Sequence, residues 1–250
     1  MTYTTVLAIL TTLLGIVVGS FLNVCIYRIP KKEDIVFGRS HCMNCGYVLK
    51  WYDLIPVVSW LVLKGHCRKC NTRISVQYPL IEVLNGILYL SVFLRYGAGV
   101  ETLLFCLMVS ALLALSVIDL RTYEIPVGFN YFIFALGLVR IISDRQNWSL
   151  YVFGFFSVSL PLFLIYVLTK GRGIGGGDIK LMAAAGLVLG WKLAVLGFFF
   201  GCIAGSVIHL IRMKVSKASH VLAMGPYLSL GLYLSMIFGS SFLSWYLGRF

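Results

Sequence analysis

Charged residues are scarce in this sequence. They make up 12% of its 250 residues, whereas a soluble domain carries about 25%. Acidic residues are the rarest, with only nine in the whole chain. The chain is instead 60% hydrophobic with a mean hydropathy of +0.92. This composition argues against a water-soluble enzyme or binding domain and is typical of a protein embedded in a lipid bilayer.

The sequence also lacks a polar stretch long enough to fold as a soluble catalytic domain. It has no short apolar segment near the N-terminus that is followed by a small-residue cleavage site. The first apolar run, 5–27, is long enough to cross a bilayer, which needs about 20 residues. We therefore expect a retained transmembrane helix there and not a signal peptide.

Hydrophobic runs predict an all-α polytopic membrane protein of about eight transmembrane helices. The predicted spans are 5–27, 79–97, 101–120, 127–141, 150–169, 179–191, 193–211 and 221–247. The sixth is short, and the pattern does not fix its separation from the seventh. We divide the chain into a first transmembrane helix (1–29), a small cytosolic insertion (30–78) and a membrane domain (79–250).

The formal net charge of +12 does not indicate a nucleic-acid partner, because the basic residues lie in short clusters between the hydrophobic runs. Sixteen of the 21 Lys and Arg residues fall on one side of the predicted membrane and five on the other. Loops rich in Lys and Arg stay in the cytosol. The insertion is therefore expected in the cytosol, and both chain ends outside it.

The insertion carries two Cys-x-x-Cys pairs, with 21 residues between them. Two such pairs can supply four thiolates to one tetrahedral Zn²⁺, in a closed structural site. Disulfides are disfavoured in the reducing cytosol, and a redox pair would need only one motif. His41 and His66 each precede a pair and could replace a ligand, but we expect them to be neighbours. The predicted ligands are Cys42, Cys45, Cys67 and Cys70.

Two aspartates lie close to cytosolic ends of predicted helices. Ionisable residues at membrane depth are costly and are functional candidates by default. Asp119 ends an apolar run, where the helix dipole disfavours a carboxylate; pairing with Arg121 or simple exposure are the plain alternatives. Asp178 precedes an apolar run, at a position where an N-cap is the plain alternative.

The pair is more informative than either aspartate alone. Both lie at the same predicted membrane depth, so they could meet across the helix bundle. Two adjacent carboxylates cannot easily both ionise, so one holds a proton while the other acts as a base. The sequence therefore predicts that Asp119 and Asp178 form an aspartic-protease dyad, which activates water without a covalent intermediate.

A glycine-rich loop precedes Asp178. It contains a formal G-x-G-x-x-G match, but no strand comes before it, so a dinucleotide site is not indicated. No Gly-Lys-Ser/Thr follows either, which argues against a phosphate loop. Gly175, Gly176 and Gly177 are instead expected to let a substrate strand approach closely. With Asp178 they form the G-x-G-D pattern of membrane-embedded aspartic proteases.

Two alternative functions fit parts of this pattern. A proton- or ion-coupled transporter would use intramembrane acids and a glycine break. It would not explain why both acids lie near one membrane face and away from the midplane. A non-catalytic zinc-bearing scaffold would leave Asp178 as a helix cap and Asp119 as an interface residue.

Over nearly its whole length the sequence resembles the bifunctional type IV prepilin peptidase family. The similar segments are Gly19-Ser20-Phe21-Leu22-Asn23-Val24 with Arg28 and Pro30, Leu54-Ile55-Pro56 with Ser59-Trp60 and the cysteine pairs, Tyr78-Pro79-Leu80-Ile81-Glu82, Ile118-Asp119, Gly175 to Leu181, and Gly225-Pro226-Tyr227-Leu228. One departure is Val127, where the family usually has Asp; that position is not counted as catalytic.

The resemblance implies a protease of the bacterial inner membrane that cuts the short basic leader of prepilins or pilin-like proteins after a glycine, on the cytosolic side. Many members then methylate the new amino terminus with S-adenosylmethionine. Asn23, Arg28 and Glu82 are candidates for the methyl-donor site because they are polar groups at cytosolic helix ends. A helix–helix hydrogen bond, a snorkelling base and an interfacial carboxylate are the respective alternatives. The specific pilin and the oligomeric state are not predicted.

Overall fold

The computed structural model describes residues 3–216 and 222–248, and this part of the chain is almost entirely helical. The α-helices are α1 (Tyr3–Arg28), α2 (Val58–Val62), α3 (Gln77–Tyr96), α4 (Val100–Thr122), α5 (Val127–Ser143), α6 (Trp148–Leu168), α7 (Gly176–Leu189), α8 (Trp191–Ser216) and α9 (Gly225–Leu247). Short 3₁₀ helices cover Ile29–Lys31, Trp51–Leu54 and Arg145–Asn147. The β-pairing in the described residues is limited to two isolated bridges in the insertion.

The predicted all-helical membrane class is confirmed. Every helix except α2 coincides with a predicted span. By length and apolar composition, α1, α3, α4, α6, α8 and α9 can cross a membrane. With 17 and 14 residues, α5 and α7 are about 26 and 21 Å long, shorter than the hydrocarbon core of about 30 Å. Eight crossings therefore remain a prediction, as does the three-part division of the chain.

Helix boundaries differ from the predicted ones mainly where glycine is frequent. Glycine is a poor helix former, so the sequence pattern placed the start of the sixth span at 179, whereas α7 begins at Gly176. The separation from the next helix is set by Gly190, which adopts φ +78° and donates its N–H to the Gly186 carbonyl. Glycine adopts this left-handed conformation without a steric penalty. The predicted start of the last span, 221, lies outside the described residues, and α9 begins at Gly225.

The chain forms two compact units, Met1–Thr102 and Leu103–Phe250. In the first, α1 and α3 pack side by side and antiparallel. Asn85 donates from Nδ2 to the Gly15 carbonyl at 2.7 Å, and Asn23 donates to the Tyr78 carbonyl at 3.1 Å. These interhelical hydrogen bonds stabilise contacts that lipid alone would not favour.

The second unit is built around α7, which packs against α5, α6, α8 and α9. Nine consecutive α7 residues, Leu181 to Leu189, are buried, as expected for a helix that is apolar on all sides. Gly154 of α6 and Gly186 of α7 meet backbone to backbone, so neither position has room for a side chain. This close packing fixes the helix whose first turn carries Asp178.

Candidate functional site

Asp119 lies three residues before the end of α4 and is only 4% exposed. Simple exposure at the interface is therefore excluded for this side chain, whereas Arg121 is exposed. Its Oδ2 accepts a hydrogen bond of 2.9 Å from the backbone N–H of Gly225. Gly225 is the first residue of α9, so the positive end of that helix faces the carboxylate. This contact offsets the unfavourable position of Asp119 near the end of its own helix.

Gly225 leaves space for the Asp119 carboxylate. A Cβ atom at Gly225 would lie 2.7 Å from Asp119 Oδ2, closer than real Cβ contacts allow. The backbone of α9 therefore approaches the carboxylate directly.

Asp178 is the third residue of α7, and the N-cap position belongs to Gly175. The alternative that Asp178 is an N-cap is therefore wrong, because the helix begins earlier than the sequence pattern indicates. From the third position a carboxylate can reach back towards the backbone of the cap residue, and Asp178 interacts with the backbone of Gly175. The Asp178 side chain is half-buried.

The structure brings the two predicted carboxylates together. Asp119 and Asp178 lie close enough for their charges to interact. The end of α4 and the starts of α7 and α9 thus converge on one acidic site within the second unit. Electrostatic interaction between two carboxylates disfavours the state in which both are ionised.

The glycines before Asp178 differ in their surroundings. Gly175 and Gly176 are exposed, and a Cβ atom at Gly176 would meet nothing within 4 Å. Gly177 packs against Ile125, and its carbonyl lies 3.5 Å from Nδ2 of Asn130. One side of the loop is therefore open and the other is held by the segment that follows α4.

Sequence reasoning missed two members of this site. The Gly225 N–H and Asn130 are 106 and 47 residues from their partners. No local pattern predicts such contacts. The Gly225-Pro226 pair does mark a helix start, since proline is favoured in the first turn, but not what that start faces.

The insertion brings the four predicted cysteine ligands together. In each half the first cysteine pairs with the residue five positions later: Cys42 N–H donates to the Tyr47 carbonyl and Cys67 N–H to the Thr72 carbonyl. The residues after the second cysteines, Gly46 and Asn71, both have left-handed φ angles, +68° and +57°. The two halves are therefore repeats of one turn structure.

The thiol cluster fits a zinc ion. All four Sγ atoms lie within 4.8 Å of one another, with Cys42–Cys70 at 3.7 Å and Cys45–Cys67 at 4.0 Å. A tetrahedral Zn²⁺ with bonds of about 2.3 Å separates its sulfurs by about 3.8 Å. His41 and His66 are not part of the cluster; each ring contacts the carbonyl two residues before it.

Local hydrogen bonds favour the thiolate form of two of the four cysteines, which is the form that binds a cation. Hydrogen bonds with the side chain and backbone of Thr72 lower the pKa of Cys70 to about 5. Backbone groups of Cys45 and Asn44 lower the pKa of Cys42. The backbone of Tyr47 lowers the pKa of Cys45, but burial and the neighbouring thiols outweigh it and raise that pKa to about 11. A divalent cation would remove this repulsion between thiolates.

The methyl-donor candidates line one cavity of about 380 Å³ in the first unit, together with residues of the insertion. This volume lies within the range of small-molecule sites, about 300–1,000 Å³. Asn23, Arg28 and Glu82 are all buried, so the predicted set is brought together.

Their contacts differ. Arg28 donates from Nη1 to the carbonyls of Asp34 and Gly38, both at 2.8 Å, which makes it a support of the insertion and not a snorkelling base. Glu82 Oε2 accepts a 2.7 Å hydrogen bond from the N–H of Val57. Asn23 leaves its Oδ1 without a hydrogen-bond partner. Asn23 therefore retains an unused acceptor beside the cavity, whereas the Glu82 carboxylate is also hydrogen-bonded to the Ser20 side chain.

Comparisons with known proteins divide the chain in the same place as the structure. The Bacterial Peptidase A24 N-terminal domain matches residues 13–96, within the first unit. The Type IV leader peptidase family matches residues 106–210, within the second. No solved structure matches the chain.

Curated relatives carry the name prepilin leader peptidase/N-methyltransferase, among them proteins from Myxococcus xanthus, Bacillus subtilis and Pseudomonas putida. The one from Myxococcus xanthus is 33% identical over 82% of this chain, but the alignment covers only 63% of that relative. The relative from Bacillus subtilis is 32% identical over 93% of this chain and 95% of its own length. The relative from Pseudomonas putida is 31% identical over 92% and 90%.

Proposed function

Because the chain belongs to the type IV leader peptidase family, we propose that it is a membrane-embedded aspartic endopeptidase. Its substrates are type IV prepilins or pilin-like proteins, from which it removes the short basic leader at the cytosolic face of the bacterial inner membrane. The observation that carries this proposal is the interaction of Asp119 with Asp178 at converging helix ends.

The chemistry follows from the shared proton. The ionised aspartate takes a proton from water as the water oxygen attacks the scissile carbonyl, while the protonated aspartate donates to the carbonyl oxygen. Collapse of the resulting diol breaks the C–N bond, and the departing nitrogen receives a proton from the dyad. The Gly225 N–H fixes one carboxylate throughout, which keeps the pair in reacting geometry.

We propose that the substrate peptide approaches the aspartates along the glycine loop. Exposed Gly175 and Gly176 lie directly before Asp178, and neither carries a side chain that would hold a peptide away from it. An extended segment can therefore pass close to the carboxylates.

The transporter alternative receives no support. Asp119 lies in the last turn of α4 and Asp178 in the first turn of α7. A coupling site would be expected near the midplane, whereas positions at helix ends favour the proposal that the acids lie near one face.

The second proposed activity is N-methylation of the new amino terminus by S-adenosylmethionine. The cavity of the first unit is the proposed donor site, with Asn23 and Glu82 in its wall. S-adenosylmethionine supplies an electrophilic methyl group on a sulfonium. A buried carboxylate such as Glu82 suits the positive charges of this donor, and Asn23 Oδ1 is an unused acceptor. Arg28 acts here by holding the cavity wall.

Replacing Glu82 with Gln tests the donor site. Gln can still accept the Val57 N–H but carries no charge, so methylation should fall about tenfold or more while cleavage by the same protein is kept. Mass analysis separates unmethylated from methylated product. Equal loss of both activities would indicate a folding effect and contradict the donor assignment.

The proposed zinc site is structural. Four thiolates leave no open position for substrate or water, so the metal would hold the two repeats of the insertion together. Cys42 and Cys67 also line the donor cavity, so the metal would support that wall as well.

Co-expression with a pilin-like protein tests the central proposal. The pilin should lose its leader, and its new terminus should carry one methyl group, both measured by mass spectrometry. An uncut pilin in the presence of folded enzyme would contradict the peptidase assignment. Cut but unmethylated pilin, with donor supplied, would contradict the second activity alone.

A further inference from the structure

Asn130 is a buried amide beside the glycine loop that the proposed chemistry does not use. It lies in the first turn of α5 and is 4% exposed. Its Nδ2 faces the Gly177 carbonyl at 3.5 Å, and its Oδ1 has no hydrogen-bond partner. A buried polar atom without a partner is destabilising. An apolar side chain of similar size would avoid this cost, so stability alone does not account for an asparagine here.

Asn130 contacts Gly177, the residue directly before Asp178. Gly177 is the second residue of α7. Its carbonyl oxygen has two lone pairs, so it can accept a hydrogen bond from a side chain in addition to the one from the helix backbone. Ile125 packs against the same glycine, where a Cβ atom would lie 3.1 Å from its Cβ. Both contacts come from the segment that leaves the helix of Asp119. This segment therefore links the backbone positions of the two aspartates.

We propose that Asn130 is a positioning residue, which donates to the Gly177 carbonyl and so holds the first turn of α7 with Asp178 directed at Asp119. The inference rests on the proposed peptidase function. A displacement of about 1 Å in a catalytic group can lower the rate about 100-fold.

Replacing Asn130 with Asp tests the hydrogen bond without changing the shape of the side chain. An ionised carboxylate has no donor and repels the Gly177 carbonyl, whereas a protonated one donates again. At neutral pH kcat should fall about 10- to 100-fold with KM little changed. As the pH falls, activity should recover, so the pH optimum moves to lower pH than in the unmodified enzyme.

The pH profile must be compared with that of the unmodified enzyme, because other titratable groups occur on α5 and on the helices packed against it. They are Tyr131 and Arg140 on α5, Asp144 and Arg145 after it, Tyr151 and Tyr166 on α6, and Asp178 and Lys180 on α7, with Asp119 beyond Asp178. These groups are present in both proteins, so a difference between the profiles reports the substituted residue.

Asn130→Leu removes the donor without adding charge. Its kcat should be low at every pH, with no recovery in acid. This variant also decides the matter if Asn130→Asp does not fold, since a kcat equal to that of the unmodified enzyme would then overturn the inference.

Asn85→Asp is the matched control. Asn85 is another buried amide that donates to a glycine carbonyl, at 2.7 Å, in the first unit. Its replacement should destabilise the protein but leave the pH optimum of the folded fraction unchanged. An unshifted profile for Asn130→Asp, with normal kcat per folded molecule, would overturn the positioning role. If the unmodified enzyme itself cleaves no pilin, the proposed function fails and this inference with it.

Discussion

Gly225 has no Cβ atom, and this leaves space for the Asp119 carboxylate. The Cβ of alanine would lie 2.7 Å from the carboxylate oxygen, so the carboxylate or the start of α9 must move. Alanine is otherwise a better helix former than glycine. We therefore expect Gly225→Ala to keep its thermal stability and to lose about 10- to 100-fold in kcat, measured by cleavage of a pilin peptide.

Gly128→Ala is the control for this change. Gly128 lies in the first turn of α5, and a Cβ atom there meets nothing within 4 Å. It should retain both kcat and stability. Full activity in Gly225→Ala would show that the contact between α9 and Asp119 does not set the geometry of the site.

Sequence reasoning identifies the two candidate catalytic side chains but not the two contacts that hold them in place. The scarcity of acids made Asp119 and Asp178 stand out, because a carboxylate in an apolar run is costly. The Gly225 N–H and the Asn130 amide belong to residues of ordinary type, and only the packing of α9 and α5 brings them to the site.

Among the structural elements, the insertion is the one that we expect to depend on the proposed zinc ion. Residues 30–76 hold only short helices and two isolated bridges, and the thiol cluster joins its two repeats. Purified protein should contain about one equivalent of zinc. Cys42→Ser or Cys70→Ser should lower the metal content and make the insertion sensitive to proteolysis, with loss of activity following from that change.

Histidine variants provide the comparison. His41 and His66 adjoin the cysteine pairs but lie outside the thiol cluster, so His41→Ala and His66→Ala should bind metal normally. Metal analysis of all four variants separates a four-cysteine site from one with a histidine ligand. Full zinc content in a variant with all four cysteines replaced by serine would exclude the site.

Helix positions were largely predictable, whereas helix ends were not. An apolar run of about 20 residues has few alternatives to a membrane helix, so every predicted span coincides with a helix. The predicted start of α7, residue 179, is three residues late because Gly175, Gly176 and Gly177 have low helix propensity. With the start of α7 at Gly176, Asp178 occupies the third helical position, which excludes the N-cap alternative.

For the whole molecule, the distribution of basic residues predicts the orientation in the membrane. Phe37 in the insertion is 87% exposed, and Gly99 lies exposed between α3 and α4. In spheroplasts, a cysteine at position 99 should react with a membrane-impermeant maleimide, and one at position 37 only after permeabilisation. The opposite labelling pattern would invert the topology and move the aspartates to the outer face.

We assign the two proposed activities to different compact units, methylation to the first and cleavage to the second. The first holds the thiol cluster and the cavity proposed for the methyl donor, and the second holds the two aspartates. The matches to two family domains follow the same division. Variants of Glu82 should therefore lower methylation without lowering cleavage. Variants of Asp119 should lose cleavage but still methylate a pilin whose leader has already been removed.

The most direct test of the account measures leader cleavage by Asp119→Asn, Asp178→Asn and the double variant. Asparagine keeps the shape of each side chain but cannot share the proton. At the third position of α7, Asp178→Asn should cost at most about 1 kcal/mol of helix stability, so the protein should remain folded.

Each single variant is expected to lose about 1,000-fold or more in kcat, and the double variant should be scarcely worse, because the two groups act as one unit. Mass analysis of the pilin terminus, with thermal unfolding as the folding control, gives the result. Retained cleavage in either folded single variant would contradict the assignment of Asp119 and Asp178 as the catalytic pair.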